Sequence, residues 1–133
     1  MIVRRKSDLA GTPGEMLGAS DAHWRFLHEA DGLGFTLVEA VLEAGREAVL
    51  WYRDHLEANY VIEGEATLED LATGAIYELG PGSLYALDRH ERHRFRTRTR
   101  VRLISVFRPA LAEGERPNRA GGGNAAPSRP PDA

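Results

Sequence analysis

The sequence predicts an all-β fold, a small barrel or sandwich of short strands, and three observations point there. Short runs of β-forming residues are separated by glycine- and proline-centred turns at close spacing. No long helical pattern fits between those runs. From Arg92 to Arg102 an arginine stands at every second position, the alternation expected of a strand with one face in water.

The elements follow in order. Ser7–Ser20 is polar and glycine-rich, and predicts a loop with at most a short helix. Gly34–Leu42 is rich in β-formers and stops before Glu43-Ala44-Gly45. A helix over Val38–Arg46 is its rival, because EAVLEAGREA contains good helix formers; the β-branched and aromatic start decides for the strand. Ala48–Arg53 and Glu57–Glu63 are two further runs. Glu63-Gly64-Glu65 bends into Ala66–Leu71, Ala72-Thr73-Gly74 turns into Ala75–Leu79, and Gly80-Pro81-Gly82 is a strong turn. Ser83–Leu87, His93–Thr97 and Val101–Arg108 complete the set. With the arginines in water, His93, Phe95 and Thr97 face inward, while His90 precedes the strand in a loop. The arginine row is a solvated outer face, and Glu63, Glu65, Glu69 and Asp70 are solvated at a hairpin. Trp24 and Trp51 are packing residues, and His23 and His28 are surface residues.

Composition narrows the function. The chain has 133 residues, the size of one domain. Residues 1–112 form that domain; 113–133 form a Gly/Pro-rich tail with too few large apolar residues to order itself, with disorder expected from about Pro117. There is no cysteine, hence no disulfide and no thiolate metal site. The net charge of −3 disfavours nucleic acid or an anionic membrane as partner. The opening MIVRRKSDLAG has no apolar signal core and no run is long enough to span a bilayer, so a cytoplasmic protein is expected.

Two spaced half-motifs carry the chemistry. Gly45 is followed after five residues by Trp51-Tyr52-Arg53, then Glu57, then Gly64. Gly74 is followed after five residues by Gly80-Pro81-Gly82, then Tyr85. These spacings resemble the two halves of the cupin metal-site signature, which implies a cupin-type, jelly-roll-like small barrel. The signature's four ligand positions fall on Trp51, Arg53, Glu57 and Tyr85. Tryptophan cannot bind a metal, and arginine stays protonated with no lone pair to give. Glu57 and Tyr85 remain, and the inward-facing His93 can supply a third donor. A carboxylate, a phenolate and an imidazole suit a hard or borderline ion: Fe²⁺ first, with Zn²⁺, Mn²⁺ and Ni²⁺ as alternatives.

A narrower resemblance rests on the run from Trp51 to Glu65 (WYRDHLEANYVIEGE). Met1-Ile2-Val3-Arg4, Gly80-Pro81-Gly82 with Tyr85-Ala86-Leu87-Asp88, the pair His90 and His93, and Phe107-Arg108-Pro109 add to it. Over nearly all of residues 1–115 the chain resembles ectoine synthases, small cupins that close N-γ-acetyl-L-2,4-diaminobutyrate into the cyclic amidine ectoine with loss of water. The resemblance implies an iron-dependent lyase of a compatible-solute pathway, a cytoplasmic homodimer acting on a small molecule. It places the metal ligands on Glu57, Tyr85 and His93, and substrate or catalytic roles on Arg25, Tyr52, His55, Phe107 and Glu115. Within those, Tyr52, His55 and Glu115 are the candidate acid–base groups, and Arg25 and Phe107 the substrate contacts. The chain also departs from the family. Asp21 stands where a tryptophan is expected and Ala40 where a substrate-contacting threonine is expected. Val38 and Ser105 replace other polar or thiol pocket residues, and Pro117 replaces a histidine. Two alternatives follow: a cupin enzyme of the same family with another small polar substrate, or a non-catalytic small-molecule-binding cupin.

Overall fold

The computed structural model describes residues 1–115; the remainder of the expected tail, 116–133, lies outside the described residues. A helical turn, α1 (Lys6–Leu9), precedes ten strands: β1 (Glu15–Leu17), β2 (Asp21–Leu27), β3 (Thr36–Leu42), β4 (Glu47–Leu50), β5 (Leu56–Glu63), β6 (Ala66–Asp70), β7 (Ile76–Leu79), β8 (Leu84–Leu87), β9 (His93–Thr97) and β10 (Val101–Arg108). A six-stranded sheet runs β1-β2-β3-β10-β5-β8 and faces a four-stranded sheet, β4-β9-β6-β7. All pairings are antiparallel. The all-β barrel expected from the turns and alternation is therefore the observed architecture. Among the described residues no helix is long and apolar enough to cross a membrane.

Two strands stand where the sequence predicted none. The expected loop over Ser7–Ser20 contains α1 and β1, and β2 follows it. β2 reads DAHWRFL, and its inward residues include His23 and Arg25, both buried. Polar residues on the inner face erase the alternation that marks a half-buried strand. His23 is thus a buried residue, not a surface one; its Nδ1 lies 3.7 Å from the Asp21 carboxylate. β4 also ends at Leu50 rather than Arg53. Leu50 pairs with His93, the first residue of β9, so residues beyond it find no ladder partner.

The arginine row behaves as the alternation demands. His93, Phe95 and Thr97 are buried, and the arginines between them lie on the outer face. There they meet carboxylates: Arg94 with Glu69 at 2.6 Å, Arg96 with Glu47 at 2.9 Å, and Arg98 with Glu78. The two pairs of Arg96 and Arg98 are exposed and contribute little each to stability; the Arg94–Glu69 pair is half-buried.

Two turns fix the register that the site needs. Ser83 N–H donates to the Gly80 carbonyl at 3.0 Å with Gly82 at φ +88°, a type II turn that Pro81 and Gly82 favour and that launches β8. Gly64 sits at φ +91°, and a Cβ there would lie 2.0 Å from the Arg100 carbonyl oxygen. Only glycine lets the β5–β6 turn approach the start of β10 this closely.

The space between the sheets is graded along β10. At the Gly64 end its inner residues are Val101 and Leu103, packed with Val61, Ala66 and Leu42. Toward its C-terminus they become Ser105 and Phe107, which pair in register with Asn59 and Glu57 of β5. One end of the barrel is a closed apolar core; the other gathers buried polar groups.

Candidate metal centre and active site

Glu57, Tyr85 and His93 come from three strands, β5, β8 and β9. Pairing sets Glu57 opposite Leu87 and Asn59 opposite Tyr85, so the carboxyl and the phenol share the inner face of adjacent strands. The Tyr85 ring stacks on Phe95 at 6.0 Å and meets His93 edge-on at 6.3 Å between centroids. His93 Nδ1–H donates to the Glu91 carbonyl at 3.0 Å, which leaves the lone pair on Nε2. Both His93 Nε2 and Glu57 Oε1 are buried without a hydrogen-bond partner.

Burial acts on all three groups. It pushes the Glu57 carboxyl up to about 8, with the Asn59 carboxamide offsetting part of that rise. It holds the Tyr85 phenol well above its ordinary value, reinforced by the charge of Glu57. It lowers His93, against the pull of the Glu91 carbonyl, so the imidazole is neutral near pH 7. Buried polar atoms without partners are costly, and a nearby divalent cation would offset that cost and reverse the two acid shifts. The donor set therefore fits a metal ion. Among the described residues no three His, Cys, Asp or Glu side chains group as ligands; the set here has two of those plus a phenol.

The vacated signature positions have other work. Trp51 Nε1–H donates to the His90 carbonyl at 2.8 Å, and the Arg53 guanidinium stacks on the Trp51 ring at 4.6 Å. His90 in turn bonds the Tyr52 carbonyl at 2.9 Å through Nδ1. This small cluster braces the loop that carries Tyr52 and His55.

The remaining candidates assemble around Phe107, which is fully buried and paired with Glu57. The Tyr52 ring meets it edge-on at 5.1 Å and the His55 ring at 6.4 Å. His55 Nδ1–H donates to the Pro109 carbonyl at 2.8 Å, and its Nε2 lies 3.0 Å from a Glu115 carboxylate oxygen. Arg25 donates to the carbonyls of Ala112 and Glu115, while its buried Nε has no partner. Burial lowers the Arg25 pKa, opposed by the charges of Glu115 and Glu113. Leu111 N–H donates to Thr36 Oγ1 at 2.9 Å and anchors the same segment. A cavity of about 490 Å³ lies beside it, lined by Arg25, His28, Leu111 and Glu115 among others.

Sequence reasoning named Ser105 among the pocket residues but missed Asn59, its buried hydrogen-bond partner. Counting by two from Glu57 along β5, with Glu57 taken as inward, would have found Asn59.

A barrel of this topology with a carboxylate, a phenol and an imidazole turned into its polar end defines a small cupin. An RmlC-like cupin from Shewanella frigidimarina superposes with a TM-score of 0.60 at 26% identity, over 72% of this chain and 82% of that one. The match becomes specific elsewhere. The family model for ectoine synthase matches residues 1–126. The L-ectoine synthase of Desulfosudis oleivorans is 42% identical over 116 residues, 86% of this chain and 90% of the relative. The crystal structure of ectoine synthase from P. lautus superposes with a TM-score of 0.80 at 38% identity, over 85% of this chain and 81% of that one. The chain belongs to the ectoine synthase family, whose members are hydro-lyases.

Proposed function

We propose that this enzyme closes N-γ-acetyl-L-2,4-diaminobutyrate to ectoine at a centre formed by Glu57, Tyr85 and His93. The observation that carries this reading is the pair of buried, partnerless donor atoms, Glu57 Oε1, on the residue opposite Phe107, and His93 Nε2, on the ring edge-on to Tyr85. A bound divalent ion, Fe²⁺ first and Zn²⁺, Mn²⁺ or Ni²⁺ as alternatives, would supply Lewis-acid polarisation of the substrate's amide carbonyl.

The chain's own residues handle binding and protons. The substrate carries a carboxylate, an α-ammonium and an acetamide. Arg25 Nε is the unpaired donor suited to the carboxylate. The α-nitrogen attacks only when neutral, so one proton must leave it, and the departing oxygen needs protons. Ring closure forms one bond from the α-nitrogen to the acetyl carbon and breaks that carbon's bond to oxygen. Both hydrogens of the released water originate on the α-ammonium. The His55–Glu115 pair and the Tyr52 phenol, on either side of Phe107, are the groups that relay them. Phe107 and the Tyr52 ring keep water out, which strengthens the electrostatic contacts within.

The family resemblance supports a cytoplasmic homodimer acting in a compatible-solute pathway. A second reading, a different small polar substrate, is favoured by Val38 and Ala40, fully buried apolar residues on the inner face of β3. Iron-loaded protein should convert the acetylated diamine to ectoine, followed by chromatography; no product at any pH would refute the activity. Glu57→Ala, Tyr85→Ala and His93→Ala should each lose metal by elemental analysis, and full metal content in all three would refute the centre.

A further inference from the structure

We propose that Asn59, held in orientation by Ser105, is a positioning residue for the Glu57 carboxylate at the metal centre. The proposal rests on the reading of Glu57 as a metal ligand. Asn59 follows Glu57 by two residues on β5, so both side chains leave the same face, about 6.6 Å apart along the strand. Register sets Asn59 between Ser105 of β10 and Tyr85 of β8. Asn59 and Ser105 are each 1% exposed.

The hydrogen bonding of the pair has a direction. Ser105 Oγ–H donates to Asn59 Oδ1. With its oxygen taken, the carboxamide presents Nδ2 to its other side, and that nitrogen is buried without a partner, as is Glu57 Oε1. The reversed amide would turn Oδ1 toward the Glu57 carboxylate and set acceptor against acceptor. Asn59 itself is no ligand in this orientation: its nitrogen has no lone pair to give, and its oxygen is turned to Ser105. Its nearness to Glu57 offsets part of the burial effect on that carboxyl, while Nδ2 and Glu57 Oε1 each stay outside hydrogen-bond geometry in the metal-free fold. Val38 pairs with Ser105 in register, and Leu103 and Val61, two residues along on the same faces, pair with each other, so the side of the pair away from Glu57 is apolar. A carboxylate that gives one oxygen to a cation has a second oxygen for this donor, the outer-shell arrangement that orients metal ligands.

The test is an anaerobic titration of the metal-free full-length protein with Fe(II), for wild type, Asn59→Leu, Ser105→Ala and Glu57→Ala, beside thermal melts of the metal-free forms. Asn59→Leu should bind Fe(II) roughly 10–100-fold more weakly. Ser105→Ala should show a smaller loss in the same direction. The melting temperature of metal-free Asn59→Leu should fall modestly, because the buried Ser105 hydroxyl loses its acceptor even as an unpaired amide nitrogen is removed. Fe(II) affinity within about two-fold of wild type in both variants would overturn the proposal, well outside the outer-shell effect. So would a lower melting temperature with unchanged affinity, the mark of a merely structural pair. If Asn59→Leu does not fold, Ser105→Ala decides alone. Wild type that binds Fe(II), with Glu57→Ala that does not, isolates a failure of the positioning role. Equal binding by Glu57→Ala removes the metal centre and this proposal together.

Discussion

His55 Nε2 lies 3.0 Å from Glu115 Oε2, while the other nitrogen of the same ring lies 2.8 Å from the Pro109 carbonyl. Both ring nitrogens face oxygen acceptors, so the pair is satisfied when it holds one proton more than a neutral imidazole and its Nδ1–H account for. Glu115 Oε1 accepts from Ala112 N–H at 2.8 Å, and Arg25 grips the carbonyls of Ala112 and Glu115. The carboxylate is thereby held against the imidazole as one proton-carrying unit. His55→Asn and Glu115→Gln should each lower kcat by about 10²-fold or more at equal metal content. Groups that act as a unit are not additive, so the double variant should be no slower than the slower single. Steady-state ectoine formation checks this, and multiplicative losses would refute the unit.

Much of this arrangement was legible in the chain. The period-two arginines turned His93 inward, and the Gly74 and Gly80-Pro81-Gly82 spacing located Tyr85. The same argument did not reach β2, because His23 and Arg25 carry polar groups to the inner face. The end of β4 is set by where β9 begins, a tertiary limit that local propensity does not carry. The placing of Glu115 was least legible. Arg25 reaches across 87 and 90 positions to fix it, and Thr36 anchors Leu111 across 75. Such contacts leave no periodic trace in the sequence.

The outer face of the six-stranded sheet carries an apolar row that the core does not use. Tyr60 pairs in register with Ile104 on one side and Leu84 on the other, and the neighbouring row is Val106, Ala58 and Ala86. Tyr60 is 48% exposed and Leu84 65%. Contiguous apolar patches on a surface mark interaction sites, and a second copy of the chain is the occupant that the family resemblance implies. Tyr60→Glu combined with Leu84→Glu should shift the protein from dimer to monomer in sedimentation analysis. Metal content should be unchanged, because these side chains leave the strands away from Glu57 and Tyr85. A wild-type monomer at tens of micromolar would refute the dimer.

The buried acids predict an opposing response of the metal-free and metal-loaded protein to pH. In the metal-free fold Glu57 keeps its proton up to about 8, against an ordinary value of 4.5 in the unfolded chain. Between those values the folded state binds more protons, so its stability falls as pH rises. His93 acts in the other direction, since burial lowers it below 6.5. The unfolded chain then binds the extra proton below 6.5, and stability rises with pH up to that point. Above 6.5 the opposing contribution of His93 fades within about one pH unit, and the loss toward 8 follows Glu57. Metal-free protein should lose on the order of 2 kcal/mol of stability across that window, a fall of several degrees in melting temperature. The isosteric Glu57→Gln should abolish the slope, since it has no proton to lose. Metal binding replaces that proton, so stabilisation by saturating Fe(II) should grow across the same window. Thermal melts at pH 6.5, 7.2 and 8, with chelator and with Fe(II) under anaerobic conditions, compare the two forms directly. A slope that survives in Glu57→Gln would assign the response to another group and remove Glu57 as the buried acid of the centre.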